Sequence, residues 1–268
     1  MSASIVNTLR AAGCVFAEDE ARLLIASAGT ATELDAMVQQ RIRGLPLEQI
    51  VGWAEFCGMR VAIEPGVFVP RRRTELLVRE AAAVLGPHAR VVDLGCGSGA
   101  VGAALRSRAS IVLYAVDIDP AAVRCARRNL GPDVLLGDLY QPLPDALRGH
   151  VDAIVANAPY VPTEAISLLP AEARVHEHRV ALDGGADGLE IVRRVVVEAP
   201  SWLAPGGHLL IETSRDQAPF VTEAMLHHGL AARVSECDDL GGTVVIGHLQ
   251  ATGATAAIGA LDGDRVPT

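Results

Sequence analysis

Asn157-Ala158-Pro159-Tyr160 brings an amide side chain, a proline-fixed backbone and an aromatic ring together in four residues. The apolar run Val151–Ala156 before it reads as a buried strand that ends there. In an open α/β sheet, ligands sit at the carboxyl edge of the strands. A second group lies upstream. Val91-Val92-Asp93-Leu94-Gly95-Cys96-Gly97-Ser98-Gly99-Ala100 reads as a strand, a glycine turn and a helix start. Gly95 and Gly97 let the backbone turn sharply and lie close to a ligand, with Cys96, Ser98 and Gly99 completing the loop. A helix beginning near Ala100 aims its free amide groups at polar ligand atoms. Asp117 closes the next strand, roughly 20 residues on, where a carboxylate accepts hydrogen bonds from a ribose diol. Asp138 closes a third, in Gly137-Asp138-Leu139, placed for an adenine amino group with Leu139 beside the ring. The combined pattern predicts an adenosine-type cofactor.

The spacing G-x-G-x-G, with the acidic Asp93 just before it, separates two such cofactors. A dinucleotide loop has its third glycine one residue later, and a pyrophosphate would be repelled by a carboxylate at that turn. A methionine ammonium group needs an acceptor there. The pattern therefore favours S-adenosyl-L-methionine. Asp119, before Pro120, reads as a helix cap rather than a ligand.

These residues need a sheet to hold them. Strand patterns fall at Arg90–Leu94, Ile111–Val116, Val134–Leu136, Val151–Ala156, His208–Glu212, Ala231–Glu236 and Thr243–Gly247. Helical patterns lie between most of them, at Thr74–Leu85, Ala100–Arg106, Pro120–Asn129, Leu189–Ala199 and Gln217–His227. This predicts an α/β domain, doubly wound and Rossmann-like, over residues 66–250. Residues 1–50 show helical periodicity, with Thr30 or Thr32 as a cap, and form a small helical domain. Two extended segments around Phe56-Cys57-Gly58-Met59 suggest a hairpin linker over 51–65, and the small-residue stretch 251–268 reads as a disordered tail.

Composition narrows the chemistry. The chain has 268 residues, a formal net charge of −9 and a mean hydropathy of +0.29. All 23 basic residues are arginine, which excludes a Walker lysine, a Schiff-base lysine and a lysine general base. Five scattered cysteines without a Cys-x-x-Cys pair read as buried thiols, not a disulfide framework or zinc site. His176 and His178 flank Glu177, but without further ligands the segment reads as a solvated loop, so no metal is expected. No apolar stretch approaches the roughly 18 residues of a membrane span, and no signal-peptide pattern opens the chain, so the expected location is the cytoplasm.

Several stretches resemble the HemK/PrmC family of protein-glutamine N5-methyltransferases. They include Pro46–Gly52 with Glu55-Phe56, and Phe68-Val69-Pro70-Arg71 with Thr74-Glu75. They also include the Asp93–Gly99 loop with Asp117, Ala181–Leu189, and Leu203–Gly207 running on to Glu212 and Gln217. The tetrapeptide at 157–160 is one residue away from Asn-Pro-Pro-Tyr, a signature of enzymes that methylate planar nitrogens. The likeness covers about residues 46–248. It implies a class I methyltransferase domain of seven strands, preceded by a helical substrate-recognition domain and a β-hairpin. It also implies methyl transfer to a glutamine side-chain amide, with the Gly-Gly-Gln motif of peptide chain release factors among the substrates.

An amide nitrogen is a poor nucleophile because its lone pair is delocalised. Two fixed acceptors, Asn157 Oδ1 and the main-chain carbonyl of Ala158, suit the task of holding its N–H bonds while Pro159 fixes the turn. Tyr160 then stacks on the amide plane, and Asn157 borders the cofactor as well. No strong base is needed first, since the methylated nitrogen is acidic enough to lose its proton afterwards. Ala158 stands where the family has a first proline, and Arg72-Arg73 stand where it has proline and an acid. The arginines are expected to add positive charge near the cofactor mouth. The alternative substrates are an exocyclic amine of a nucleic-acid base or a small molecule. The acidic balance argues against nucleic acid except through a ribosome-related partner.

Overall fold

The computed structural model describes residues 2–250. The expected tail at 251–268 lies outside the described residues.

Four helices open the chain: α1 (Ser2–Ala11), α2 (Ala17–Ser27), α3 (Ala31–Ile42) and the short α4 (Leu47–Val51). Leu9, Ala21, Leu24, Leu34, Met37 and Val38, at helical spacing, meet in one small core. Thr30, not Thr32, caps α3: its hydroxyl accepts from Glu33 N at 3.1 Å, while Glu33 Oε2 accepts from Gly29 N at 2.8 Å. Across this core Arg41 Nε donates to Glu20 Oε2 at 2.6 Å and Nη2 donates to Oε1 at 3.2 Å, with both side chains 10% exposed. Arg41 also meets Glu172, far along the chain, at 2.6 Å.

A two-stranded hairpin follows, β1 (Trp53–Phe56) with β2 (Met59–Ala62), turned by Cys57 and Gly58 at φ 52° and 75°. Positive φ at both central residues matches the twist of a tight hairpin. Asn129 fastens this hairpin to the glycine loop: its Oδ1 accepts from Ala62 N at 2.9 Å, and its Nδ2 donates to Ser98 O at 2.8 Å.

The rest alternates. It runs α5 (Glu75–Val84), β3 (Ala89–Leu94), α6 (Ala100–Arg108), β4 (Ile111–Asp117), α7 (Pro120–Leu130), β5 (Val134–Leu136), β6 (Val151–Ala156) and α8 (Ala171–His176). It continues α9 (Glu190–Trp202), β7 (Leu203–Thr213), α10 (Ala218–His227), β8 (Leu230–Cys237) and β9 (Gly242–Leu249). Seven strands form one sheet in the order β5-β4-β3-β6-β7-β9-β8, parallel except where β9 pairs with β7 and β8. Strand direction alternates side chains between two cores. Val91, Val155 and Leu210 face α5 and α6, whereas Val92, Ile154 and Leu209 face α9 and α10. The chain proceeds outward from β3 through β4 to β5, then crosses to β6 on the other side. The carboxyl ends of β3 and β6 therefore form the switch point at which such sheets bind ligands.

Two differences from the sequence pattern have physical causes. The helical pattern at Leu189–Ala199 stops before Pro200, but α9 continues through it to Trp202. Trp202 is buried and stacks on Tyr140 at 5.6 Å, and this packing offsets the bond the proline removes. The segment between β6 and α9 contains α8 and two short 3-10 turns that carry no long apolar periodicity.

Removing the Arg41 side chain strands Glu20 in the helical core. Arg41→Ala is expected to lower unfolding free energy by about 3–5 kcal/mol, read by urea titration. Replacing the pair together, with Arg41→Met and Glu20→Leu, is expected to recover most of that loss. An Arg41→Ala loss near zero would show that the pair is not desolvated.

Candidate active site

A cavity of about 1160 Å³ opens at the carboxyl ends of β3, β4 and β6. Its wall contains Asp93, the whole loop Gly95–Ser98, Asp117, Asp138, Leu139 and the tetrapeptide Asn157–Tyr160. Gly99 of the predicted loop is not in the wall; it is the N-cap of α6 at φ 80°. A Cβ placed on Gly95 would lie 3.9 Å from the main-chain oxygen of Asn157, so the two motifs meet edge to edge.

The glycine loop is held by the residue expected to hold a ligand. Gly97 sits at φ 55°, a conformation that favours glycine, and donates its N–H to Asp117 Oδ2 at 2.8 Å. Asp117 Oδ1 accepts from Asp119 N at 2.9 Å. Each carboxylate oxygen keeps a further lone pair for a diol. Burial raises the Asp117 pKa, opposed by those two backbone hydrogen bonds. Asp119 caps α7 through Ala121 N at 2.8 Å, and its other oxygen meets His178 Nδ1 at 2.5 Å. His178 is thus paired with the acid that caps α7, and no group of three metal-ligating side chains is found among the described residues.

Asp93 lies under the loop, 2% exposed, and its Oδ2 accepts from Gly102 N at 3.1 Å. Desolvation pushes its carboxyl up to about 7; the Gly102 hydrogen bond opposes this and the Asp117 charge adds to it. Burial raises the neighbouring Cys96 thiol well above its ordinary value. Asp138 pairs with Arg194 at 2.6 Å through Oδ2, a partner that sequence spacing gave no means of finding.

At the other end of the cavity, Asn157 Nδ2 donates to Thr74 Oγ1 at 3.2 Å. Among the described residues no donor takes Asn157 Oδ1 or the main-chain oxygen of Ala158. Ala158 itself is buried in the α9 core. The segment 182–188 clamps the tetrapeptide from behind. Val161 N donates to Leu182 O at 3.2 Å, Gly184 N to Val161 O at 2.9 Å, and Gln217 Nε2 to Tyr160 O at 3.0 Å. A Cβ on Gly188 would overlap the Tyr160 oxygen, so only glycine fits there. Burial raises the Tyr160 pKa.

The arginines behave differently from expectation. Arg73 does not simply add positive charge: its Nε donates to the buried Glu212 Oε1 at 3.2 Å, and its guanidinium stands 5.8 Å from the Tyr160 ring centroid. Arg71 pairs with the buried Glu177 at 2.6 Å and lies over the Phe68 ring at 4.8 Å.

Comparison with known proteins places this geometry. The family model described as the methyltransferase small domain matches residues 58–187. A release factor glutamine methyltransferase of Geobacter sulfurreducens is 39% identical over 210 residues, covering 75% of this chain and 70% of that protein. One from Gloeobacter violaceus is 36% identical, covering 72% and 70%. Among solved structures, the E. cuniculi Mtq2–Trm112 complex, responsible for methylation of the eRF1 translation termination factor, superposes with a TM-score of 0.51. It is 22% identical and covers 69% of this chain and 99% of that one, which shows the shared methyltransferase fold.

The state of Asp93 has a measurable consequence. A buried acid whose folded pKa is raised from 3.8 to about 7 favours the folded state at low pH, and that contribution is lost as pH rises toward 7. Asp93→Asn, neutral throughout, is expected to flatten the pH dependence of unfolding free energy across that window. An unchanged slope in the variant would assign the dependence to other groups.

Proposed function

The chain belongs to the release factor glutamine methyltransferase family, and from that premise we propose that it transfers a methyl group from S-adenosyl-L-methionine to the side-chain amide nitrogen of a glutamine in a peptide chain release factor. The Gly-Gly-Gln motif is the proposed acceptor. The observation that carries this reading is one cavity in which the Asp117-braced glycine loop adjoins an Asn157 Oδ1 with no donor among the described residues.

The residues fit the cofactor. Asp117 has free lone pairs for a ribose diol beyond the two N–H bonds it already accepts. Asp138 Oδ1 remains for an adenine amino group while Oδ2 holds Arg194, and Leu139 supplies an apolar edge. Asp93 gives the glycine turn an acidic floor that suits an ammonium group and opposes a pyrophosphate. When bound, the cofactor supplies an electrophilic methyl group on a sulfonium. Asn157 Oδ1 and the Ala158 carbonyl accept the two N–H bonds of the substrate amide and orient its nitrogen. As positive charge develops on that nitrogen, both acceptors stabilise it. Tyr160 covers the amide plane. The four N-terminal helices, tied to α8 beside the cavity by Arg41 and Glu172, are the proposed docking unit for the protein substrate. No helix among the described residues is long and apolar enough to cross a membrane.

The test uses purified protein, labelled S-adenosyl-L-methionine and release factors of the same organism, beside RNA and DNA. Label is expected on glutamine of the release factor. Label on nucleic acid and none on protein would overturn the reading. Asn157→Ala is expected to lower kcat on the order of 100- to 1000-fold, the scale for losing one oriented hydrogen-bonding group. Cofactor affinity by calorimetry is expected to stay within a few-fold. Turnover that survives this change removes Asn157 from its role.

A further inference from the structure

Three elements converge behind the tetrapeptide. In the parallel pair β6–β7, Ala156 stands opposite Ile211, so the next residues, Asn157 and Glu212, lie side by side. Both continue the alternation of Val155 and Leu210, whose side chains pack toward α5. Thr74, 2% exposed, precedes the first residue of α5 and sits against both.

Its hydroxyl is used unusually. A threonine just before a helix ordinarily accepts one of that helix's free N–H groups, but Thr74 makes no such cap. It accepts from Asn157 Nδ2 at 3.2 Å instead. A hydroxyl that accepts there has its own proton to give, and Glu212 is the carboxylate beside it. Arg73 Nε occupies Glu212 Oε1, while Oε2 is buried without a donor and leaves acceptor capacity for that proton. The Thr74 hydroxyl thus accepts from Asn157 Nδ2 and keeps its own proton to give, with the unpartnered Glu212 Oε2 as the nearby acceptor left for it.

We infer that Thr74, backed by Glu212, is the positioning residue that locks the Asn157 amide with Nδ2 turned inward, leaving Oδ1 as the acceptor presented to the cavity. Without the hydroxyl the Asn157 amide is free to turn over and present Nδ2, a donor facing the N–H of the substrate. The inference rests on Asn157 as acceptor for the substrate amide, and wild-type methylation of the release factor tests that separately.

The experiment compares Thr74→Val, which keeps shape and removes the hydroxyl, with Thr74→Ser, which restores it. Thr74→Val is expected to lower kcat on the order of 10- to 100-fold, the scale of a misoriented reacting group. Its cofactor dissociation constant should stay within about twofold of wild type, because the cofactor end of the cavity is untouched. Thr74→Ser is expected to keep kcat within about threefold. Glu212→Gln, which can donate as well as accept, is expected to lower kcat while cofactor binding persists. Thr74→Val turnover equal to wild type, or Thr74→Ser as impaired as Thr74→Val, overturns the inference. If Thr74→Val no longer binds cofactor, the serine and glutamine variants decide, and full activity in Glu212→Gln removes the carboxylate from the chain. A wild-type protein that leaves release factors unlabelled instead defeats the functional premise, a result distinct from any difference among variants.

Discussion

The register of three parallel strands is the constraint on which the rest depends. Leu94 lies opposite Ala156, and Ala156 opposite Ile211, so β3 and β6 end level with Ile211 of β7, which runs on two residues to Thr213. The residues next in line therefore share one height: the glycine loop after β3, Asn157 after β6, and Glu212 within β7. A slip of one residue would send each side chain to the other face. Asn157 would then point toward α9 and lose Thr74. The two apolar cores hold this register, since Val155 and Leu210 are buried on one side and Ile154 and Leu209 on the other.

Charge burial follows the same geometry. Asp93, Glu177 and Glu212 are buried carboxylates, and desolvation raises the pKa of each. Each is held differently. Asp93 has only a backbone N–H, from Gly102. Glu177 Oε1 receives both Val69 N at 3.1 Å and Arg71 at 2.6 Å. Glu212 receives Arg73. The use of arginine alone fits this work: a planar guanidinium can pair with a carboxylate and lie over an aromatic ring together, as Arg71 does with Phe68 and Arg73 with Tyr160. A lysine in either place would supply charge without the stacking face.

What was legible in the sequence was what is local. The glycine spacing, the strand-end Asp117 and the strand before Asn157 each lie within one βα unit, so periodicity and turn chemistry reveal them and the doubly wound sheet that carries them. Partners separated by long stretches of chain were not legible. Glu212 and Arg73 are 139 residues apart, and nothing in either neighbourhood marks the other. Arg73 therefore reads from sequence as free positive charge, and in the fold it is spent against a buried acid. Arg194 beside Asp138 and His178 beside Asp119 were hidden in the same way. The α8 segment is hidden for a different reason: six residues are too few to show a helical period.

Ala158 shows how tertiary structure can stand in for local stiffness. Replacing a proline by alanine frees φ in the unfolded chain and costs about 1 kcal/mol of pre-organisation. Here the following Pro159 still biases Ala158 toward extended backbone. The alanine methyl is 3% exposed within the α9 core, so the residue is packed on its side-chain face. Beyond it, the backbone from Tyr160 to Val161 is fixed by Gln217 Nε2 and by the exchange of hydrogen bonds with Leu182 and Gly184. A Cβ on Gly184 would come within 2.7 Å of the Pro159 oxygen, so that clamp is as close as a main chain allows. With both flanks held, the conformational freedom that alanine restores is largely confined to the unfolded chain. The substitution therefore weighs on stability more than on the direction in which the Ala158 carbonyl points.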